Sequence, residues 1–189
     1  MGGSFNPAHD GHLYIAGQAR LAAALDEVWW LVSPQNPLKA SDGMAKFEER
    51  LDYARLLARP RWLRVLDFEQ RYQTTKTADT LRKLAQLFTH PQFFWIMGAD
   101  NLEQFSAWDR AALIAGTVPI LVMNRPGYTY RALGSAGAAL LGHRRRVMSP
   151  RCLGRQKQLI ARRRKKHGWS FIHQTRNPLS ATLLRTGAN

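Results

Sequence analysis

The chain has 189 residues, 45% of them hydrophobic, which fits one domain spanning 1–189 with a real core and excludes a wholly disordered chain. The single cysteine, Cys152, excludes an intrachain disulfide and a cysteine-rich zinc site, and it suits a reducing cytoplasm. No apolar run approaches the ~20 residues of a membrane span. The net charge of +15 is uneven: residues 1–124 hold 13 basic and 13 acidic side chains, and 125–189 hold 15 basic ones and no acid. Such a field favours an anionic partner, either a polyphosphate nucleotide or a nucleic acid.

Segments typical of strands alternate with segments typical of helices. Apolar runs that end at turn signals predict strands at 28–33, 62–66, 93–97, 118–123 and 169–172. Helical spacing of apolar residues predicts helices near 44–59, 77–88, 102–114 and 180–185, and a further helix that begins near residue 11. The pattern is weaker near 133–141 and 156–166, where we expect two helices with a mobile basic loop between them. We therefore expect an α/β fold, a mostly parallel sheet with helices on both faces, and ligands bound beyond the carboxyl ends of the strands.

A glycine-rich motif opens the chain. Glycines let a backbone approach a phosphate closely, and His9 and His12 lie three apart at a helix entry, where N–H groups and the helix dipole favour an anion. Residue chemistry alone leaves a plain turn as an equal alternative, and it makes a zinc site improbable because no third ligand is near. The residues of this candidate phosphate site are Gly2, Gly3, Ser4, Phe5, His9, Gly11 and His12.

A second candidate anion site lies at the other end of the chain. Ser180 suits the cap of a short helix, and Thr182 and Arg185 follow within a turn. An ordinary capped helix is the favoured interpretation of this segment taken by itself.

The two motifs together resemble a known superfamily. Residues 2–12 are similar to the signature of nucleotidyltransferases with the H-x-G-H motif, and residues 179–185 are similar to their I-S-x-T-x-I-R motif, with Leu in place of both Ile. The resemblance implies a Rossmann-like fold. It also implies that His9 and His12 contact the phosphates of ATP and stabilise the departing pyrophosphate, together with Ser180, Thr182 and Arg185.

Intermediate segments resemble one subfamily, the bacterial nicotinate-mononucleotide adenylyltransferases. The similar segments are 33–39, 77–81, 98–108 and 124–127, and the resemblance is weakest over 128–168. Trp108 offers a face for a pyridine ring, Asp100 follows a strand where it could bind ribose, and Thr77 and Thr80 lie at a helix start that could hold a carboxylate. The residues that we expect to bind nicotinate mononucleotide are Asn6, Lys39, Thr77, Thr80, Asp100, Trp108 and Arg125. Core packing of Trp108 and simple surface charges at Lys39 and Arg125 are the alternatives.

The resemblance implies a reaction of ATP with nicotinate mononucleotide that gives nicotinate adenine dinucleotide and pyrophosphate in the cytoplasm. Mg²⁺ is expected to arrive with ATP, without a dedicated carboxylate site. The alternatives are a sister enzyme acting on nicotinamide mononucleotide or phosphopantetheine, and an inactive basic protein that binds nucleic acid. The basic runs at 144–146 and 162–166 lack interleaved aromatics, which favours a solvated surface over nucleic-acid binding. A homo-oligomer is compatible with the sequence.

The sequence departs from the superfamily pattern at its start. A short apolar strand normally precedes the two glycines, and here Met1 stands directly before them, so we expect the first strand of the sheet to be missing. The hypothesis that follows is a natural start several residues upstream, which mass spectrometry of the native N-terminus would test.

Overall fold

The structure is a computed structural model that describes residues 1–34, 43–125, 127–142 and 168–173, and the backbone of 145–146. Seven strands form two parallel sheets within these ranges. The first has the order β1-β2-β3, with β1 at Gly2–Gly3, β2 at Val28–Val32 and β3 at Leu63–Leu66. The second has the order β4-β5-β7-β6, with β4 at Trp95–Gly98, β5 at Ile120–Met123, β6 at Arg145–Arg146 and β7 at Trp169–Ile172.

Eight α-helices connect or follow these strands in the described part of the chain. They are α1 (Asp10–Ala23), α2 (Phe47–Leu57), α3 (Phe68–Arg71), α4 (Thr77–Leu87), α5 (Ala99–Gln104), α6 (Ala111–Thr117), α7 (Thr129–Leu133) and α8 (Ala136–Leu141), with a 3₁₀ turn at Phe105–Ala107. None of the described helices has the length and apolar character that a bilayer crossing requires.

Alternate residues of the strands face two separate hydrophobic cores. Trp30, Ile96 and Leu121 pack on one face against α1 and α2, whereas Met97 and Val122 pack on the other face against α4, α5, α6 and α8. Each core draws residues from both sheets, so the two sheets act as one layer between two helical layers. The α/β architecture with a parallel sheet and helices on both faces is confirmed.

Two predicted helical segments differ from the structure. The segment 102–114 is divided into α5, the 3₁₀ turn and α6, and Arg110, which has a left-handed conformation with φ 50°, separates the turn from α6. The segment 133–141 is divided into α7 and α8 by Gly134 and by the Ser135 cap, whose side chain accepts a hydrogen bond from the Ala138 N–H. A strand at Arg145–Arg146 lies within the predicted basic loop, and α3 has no counterpart in the predictions.

The expectation of a missing first strand is partly wrong. Gly2 and Gly3 pair in parallel with Leu31 and Val32, and the ladder extends to Met1, whose amine donates to the Trp29 carbonyl at 2.9 Å. The strand is therefore present as a short β1. A cavity of about 460 Å³ lies beside Met1, between the starts of β2 and β4.

Candidate active site

The loop after β1 has a backbone that only tight surroundings can hold. Phe5 has φ 46°, a left-handed conformation that costs a bulky residue about 1–2 kcal/mol. The Phe5 ring is 1% exposed and stacks on Trp30, with ring centroids 5.0 Å apart. The buried ring fixes the course of the loop over the carboxyl ends of β1 and β2.

His9 and His12 are joined at the N-terminus of α1. His9 is the N-cap, and its Nδ1 accepts a hydrogen bond from the Gly11 N–H at 3.1 Å. Nδ1 of His12 accepts a hydrogen bond from the His9 N–H at 3.2 Å, which completes a capping box. The ring centroids lie 3.9 Å apart. An imidazole that accepts at Nδ1 carries its proton on Nε2, so both rings have the tautomer that donates from Nε2.

The electrostatics around His9 favour the neutral ring. Burial and, to a smaller extent, the positive charge of Arg125 together lower the pKa of His9 to about 4, while the negative charge of Asp10 opposes the shift. The helix terminus also presents positive charge to this ring. His9 is therefore a neutral hydrogen-bond donor at neutral pH and contributes no formal charge.

Both polar atoms of the Asn6 side chain form hydrogen bonds within the protein. Its Nδ2 donates to the Gly43 carbonyl at 3.1 Å, and its Oδ1 accepts from the Ala45 N–H at 3.1 Å. These bonds fasten the glycine loop to the start of the segment that leads into α2. The predicted contact of Asn6 with the mononucleotide therefore has to compete with these two bonds.

Asp100 and Arg125 meet where β4 and β5 end. Nη1 of Arg125 donates to Oδ2 of Asp100 at 2.8 Å, and both side chains are half-buried. Gly98 makes room for this carboxylate, because a Cβ at Gly98 would stand 2.3 Å from Oδ1 of Asp100. The guanidinium of Arg125 also lies 5.9 Å from the ring centroid of Tyr128.

The two predicted threonines differ in exposure. Thr77 is the first residue of α4 and is half-buried, whereas Thr80 is fully buried at 0% exposure. Oγ1 of Thr80 bonds to Oε1 of Glu69 at 3.2 Å and to Oγ1 of Thr74 at 3.0 Å. Glu69 is itself buried, which raises its pKa, while its bonds to Ser33 and Thr80 oppose that rise. The hydroxyl of Thr80 thus holds α4 in place.

Trp108 lies at the end of the 3₁₀ turn, with part of its ring open to solvent. It packs edge-on against Phe105 and Trp95, at centroid distances of 5.5 and 6.5 Å. These contacts belong to the core packing that was the alternative interpretation. They also set the angle of the ring, which remains half-buried.

The structure brings together most of the predicted site that it describes. The carboxyl ends of β1, β4 and β5 carry the glycine loop, His9, His12, Asp100 and Arg125. Burial is the main cause of the lowered pKa of His9, and the charge of Arg125 is the second cause. Lys39, Ser180, Thr182 and Arg185 lie outside the described residues. No group of three or more His, Cys, Asp and Glu side chains suited to a metal occurs in the described ranges.

Two buried residues near the site were not predicted from the sequence. Arg50 donates hydrogen bonds to main-chain carbonyls of the glycine loop and of the end of β2, and Glu69 supports Thr80. Arg50 lies among Glu48, Glu49 and Asp52 in a charged helix, so no pattern distinguished it from a surface residue. Glu69 sits in a helix of four residues that the periodicity did not indicate.

Comparisons with known proteins identify the family of the chain. A family model described as cytidylyltransferase-like matches residues 1–187. A probable nicotinate-nucleotide adenylyltransferase of Gluconobacter oxydans is 45% identical over 98% of this chain and 91% of its own length. A second, from Rhizobium johnstonii, is 39% identical over 100% of this chain and 92% of its own length.

A solved structure supports the fold. The nicotinic acid mononucleotide adenylyltransferase of Plasmodium falciparum, complexed with NaAD, matches 98% of this chain and 80% of its own chain with a TM-score of 0.68 and 15% identity. At this identity the likeness concerns the fold only, and it agrees with the Rossmann-like architecture. The chain belongs to the cytidylyltransferase-like family and, within it, to the nicotinate-nucleotide adenylyltransferases.

Proposed function

We propose that the chain transfers AMP from ATP to nicotinate mononucleotide, which yields nicotinate adenine dinucleotide and pyrophosphate for NAD biosynthesis. The observation that carries the proposal is the His9–His12 pair, in which both rings accept backbone N–H groups at Nδ1 and donate from Nε2 at a helix N-terminus. Paired neutral donors beside helix N–H groups suit a triphosphate. The names of relatives that are 39–50% identical support the substrate assignment.

The chemistry is a single displacement at phosphorus. A phosphate oxygen of nicotinate mononucleotide attacks the α-phosphorus of ATP, a new P–O bond forms, and the bond to the bridging oxygen of the β-phosphate breaks. Pyrophosphate leaves with the electron pair of that bond. No covalent enzyme intermediate is required because the nucleophile is already an anion, so the protein contributes positioning and stabilisation of charge.

The glycine loop and the two histidines form the proposed ATP site. Its described members are Gly2, Gly3, Ser4, Phe5, His9, Gly11 and His12, and Ser180, Thr182 and Arg185 are proposed to complete it. His9 and His12 donate to the phosphates as negative charge grows on the leaving group. A neutral His9 suits this role because it donates a hydrogen bond without needing protonation.

The mononucleotide is proposed to bind over the ends of β4 and β5. Arg125 offers charge to its phosphate, Asp100 accepts from ribose hydroxyls, and Trp108 gives a surface for the pyridine ring. The N–H groups at the start of α4, near Thr77, suit the nicotinate carboxylate. Thr80 acts there through its support of the helix, while Asn6 and Lys39 remain proposed contacts.

Mg²⁺ is proposed to enter as part of the MgATP substrate. An ion that the phosphates and water carry needs no dedicated carboxylate site on the protein. We place the reaction in the cytoplasm, consistent with the single cysteine.

The experiment measures pyrophosphate release from ATP with nicotinate mononucleotide, nicotinamide mononucleotide and phosphopantetheine in parallel. Strong turnover with the nicotinate substrate alone supports the proposal, and preference for either other substrate identifies a sister adenylyltransferase. Absence of turnover with all three overturns the enzyme function. The 15 basic residues of 125–189 would then favour a nucleic-acid-binding protein, testable by the salt dependence of RNA binding.

A further inference from the structure

Arg50 lies buried beneath the glycine loop at 3% exposure. Its guanidinium donates hydrogen bonds to four main-chain carbonyls, those of Ser4, Ser33 at 2.8 Å, Pro34 at 2.9 Å and Ala45 at 3.0 Å. Burial lowers the pKa of Arg50, because desolvation disfavours a charge. Burial of a charged guanidinium costs free energy unless the group is hydrogen-bonded, and here the four backbone carbonyls supply those hydrogen bonds.

The bond to Ser4 fixes the peptide that joins Ser4 to Phe5. In a trans peptide the carbonyl and the following N–H point in opposite directions, so holding the Ser4 oxygen toward Arg50 directs the Phe5 N–H away from it. The other end of this peptide is set by the buried Phe5 ring and by φ 46°. Among the described residues, the Phe5 N–H donates to no main-chain oxygen.

The direction of that N–H matters because Phe5 belongs to the same loop as the histidine pair. The Phe5 ring centroid lies 5.0 Å from that of His12, and His9 begins the helix that the loop enters. A backbone N–H held in a rigid loop beside a helix N-terminus is a phosphate donor that needs no reorganisation when ligand arrives.

We propose that Arg50 is a positioning residue for ATP, which holds the Ser4 carbonyl so that the Phe5 N–H is presented to the phosphates. The inference rests on the proposed function only for the identity of the nucleotide. Arg50 touches no substrate, and its effect passes through the Ser4–Phe5 peptide. Its planar fork matters as much as its charge, because one guanidinium reaches four carbonyls in different directions.

The test compares wild type, Arg50→Lys and Arg50→Met with Leu84→Ala as a control for lost stability. Leu84 is a buried residue of α4 in the core on the opposite face from Arg50. Calorimetry measures MgATP affinity, steady-state kinetics give the KM for each substrate, and ¹⁵N spectra follow the Phe5 amide during MgATP titration. The bond at stake is the one from the Phe5 N–H to a phosphate of ATP. Loss of one hydrogen bond to a charged group costs about 1.5–3 kcal/mol, which corresponds to a roughly 10- to 100-fold weaker affinity for MgATP.

We expect the Phe5 amide to shift with MgATP in wild type and both Arg50 variants to weaken MgATP binding by at least about tenfold. The KM for nicotinate mononucleotide changes less, and Leu84→Ala lowers Tm without weakening MgATP binding. Wild-type affinity in Arg50→Lys, an unshifted Phe5 amide, or equal weakening in Leu84→Ala overturns the inference. If MgATP binds as expected and no dinucleotide forms, the proposed function fails while the role of Arg50 stands.

Discussion

Arg125 holds Asp100 across the carboxyl ends of β5 and β4, with Nη1 of the arginine 2.8 Å from Oδ2 of the aspartate. The same guanidinium lowers the pKa of His9, although burial is the larger cause. Arg125 thus connects the two proposed sites. It donates a hydrogen bond to Asp100 in the proposed mononucleotide site, and its charge acts on His9 in the proposed phosphate site.

Replacing Arg125 with alanine is expected to raise the pKa of His9 above about 4 while leaving it below its ordinary value of 6.5, because burial remains. NMR titration of the His9 ring protons measures the shift. Arg131→Ala is the matched control, since Arg131 pairs with Glu103 on the surface and is absent from the causes of the His9 shift. An unchanged His9 pKa in Arg125→Ala would contradict the electrostatic link.

The lowered pKa of His9 also predicts how stability depends on pH. Between about pH 4 and 6.5, His9 is protonated in the unfolded chain and neutral in the folded protein. The contribution of His9 to the free energy of unfolding therefore falls as the pH falls through this window. His9→Asn keeps a capping side chain and lacks the titration. Urea unfolding across the window should give a steeper pH slope for wild type than for His9→Asn, and equal slopes would refute the prediction.

Met1 and Glu69 are present in both wild type and His9→Asn, so they contribute equally to the pH dependence of stability of the two proteins. Burial lowers the pKa of the Met1 amine to about 5, and burial raises the pKa of Glu69. Only the difference between the two slopes is therefore assigned to His9.

Gly98→Ala is expected to displace the Asp100 carboxylate, because the new Cβ would lie 2.3 Å from its Oδ1. Weakening one charged contact by about 1.5–3 kcal/mol corresponds to a roughly 10- to 100-fold rise in the KM for nicotinate mononucleotide. Gly116→Ala is the control, since a Cβ there meets nothing within 4 Å and alanine favours a helix. A wild-type KM in Gly98→Ala would show that the position of Asp100 has no part in binding.

Filling the cavity beside Met1 is expected to stabilise the protein. The register places a residue added before Met1 opposite Trp29, so an added Ile-Val-Ile would continue β1 between β2 and β4. Each buried aliphatic side chain contributes about 1.5–3 kcal/mol, against about 1–2 kcal/mol for ordering each residue. The extension also removes a buried amine.

Calorimetry measures the Tm of the protein extended by Ile-Val-Ile. The control is the protein extended by Gly-Ser-Gly, and both extended proteins are released from the same cleavable tag. A net gain of about 1 kcal/mol raises Tm by about 2–4 °C in a domain of this size. Equal Tm values for the two extensions would contradict the prediction.

His12→Ala removes one donor of the histidine pair and the side chain that caps the His9 N–H. Loss of a donor to developing charge costs about 100- to 1,000-fold in kcat. His90→Ala, at an exposed histidine, is the control and should keep wild-type activity. Comparable kcat values for the two variants would exclude His12 from the chemistry.

Local patterns predicted the strands more accurately than the divided helices. The predicted strand 169–172 agrees with β7, and 28–33 agrees with β2 to within one residue, because short apolar runs with clear ends leave few alternatives. The break at Arg110 was not predictable, because a left-handed arginine in an apolar periodic stretch carries no glycine or proline signal.

The candidate site was predicted from motifs, and its internal geometry was not. Sequence identified His9 and His12, but the tautomers depend on hydrogen bonds to backbone N–H groups that only the folded helix supplies. Thr80 was predicted at a helix start, and its burial against Glu69 depends on a tertiary contact between α3 and α4. Arg50 reaches the glycine loop from 46 residues away, which no local pattern encodes.

The most direct test of AMP transfer to nicotinate mononucleotide follows the phosphates of ATP. The purified chain is incubated with nicotinate mononucleotide and ATP labelled at either the α- or the γ-phosphate, and the products are separated. Because the α-phosphorus is attacked, the α label should enter nicotinate adenine dinucleotide and the γ label should enter pyrophosphate. Release of the γ label as inorganic phosphate, or no transfer of the α label, would contradict the proposed AMP transfer.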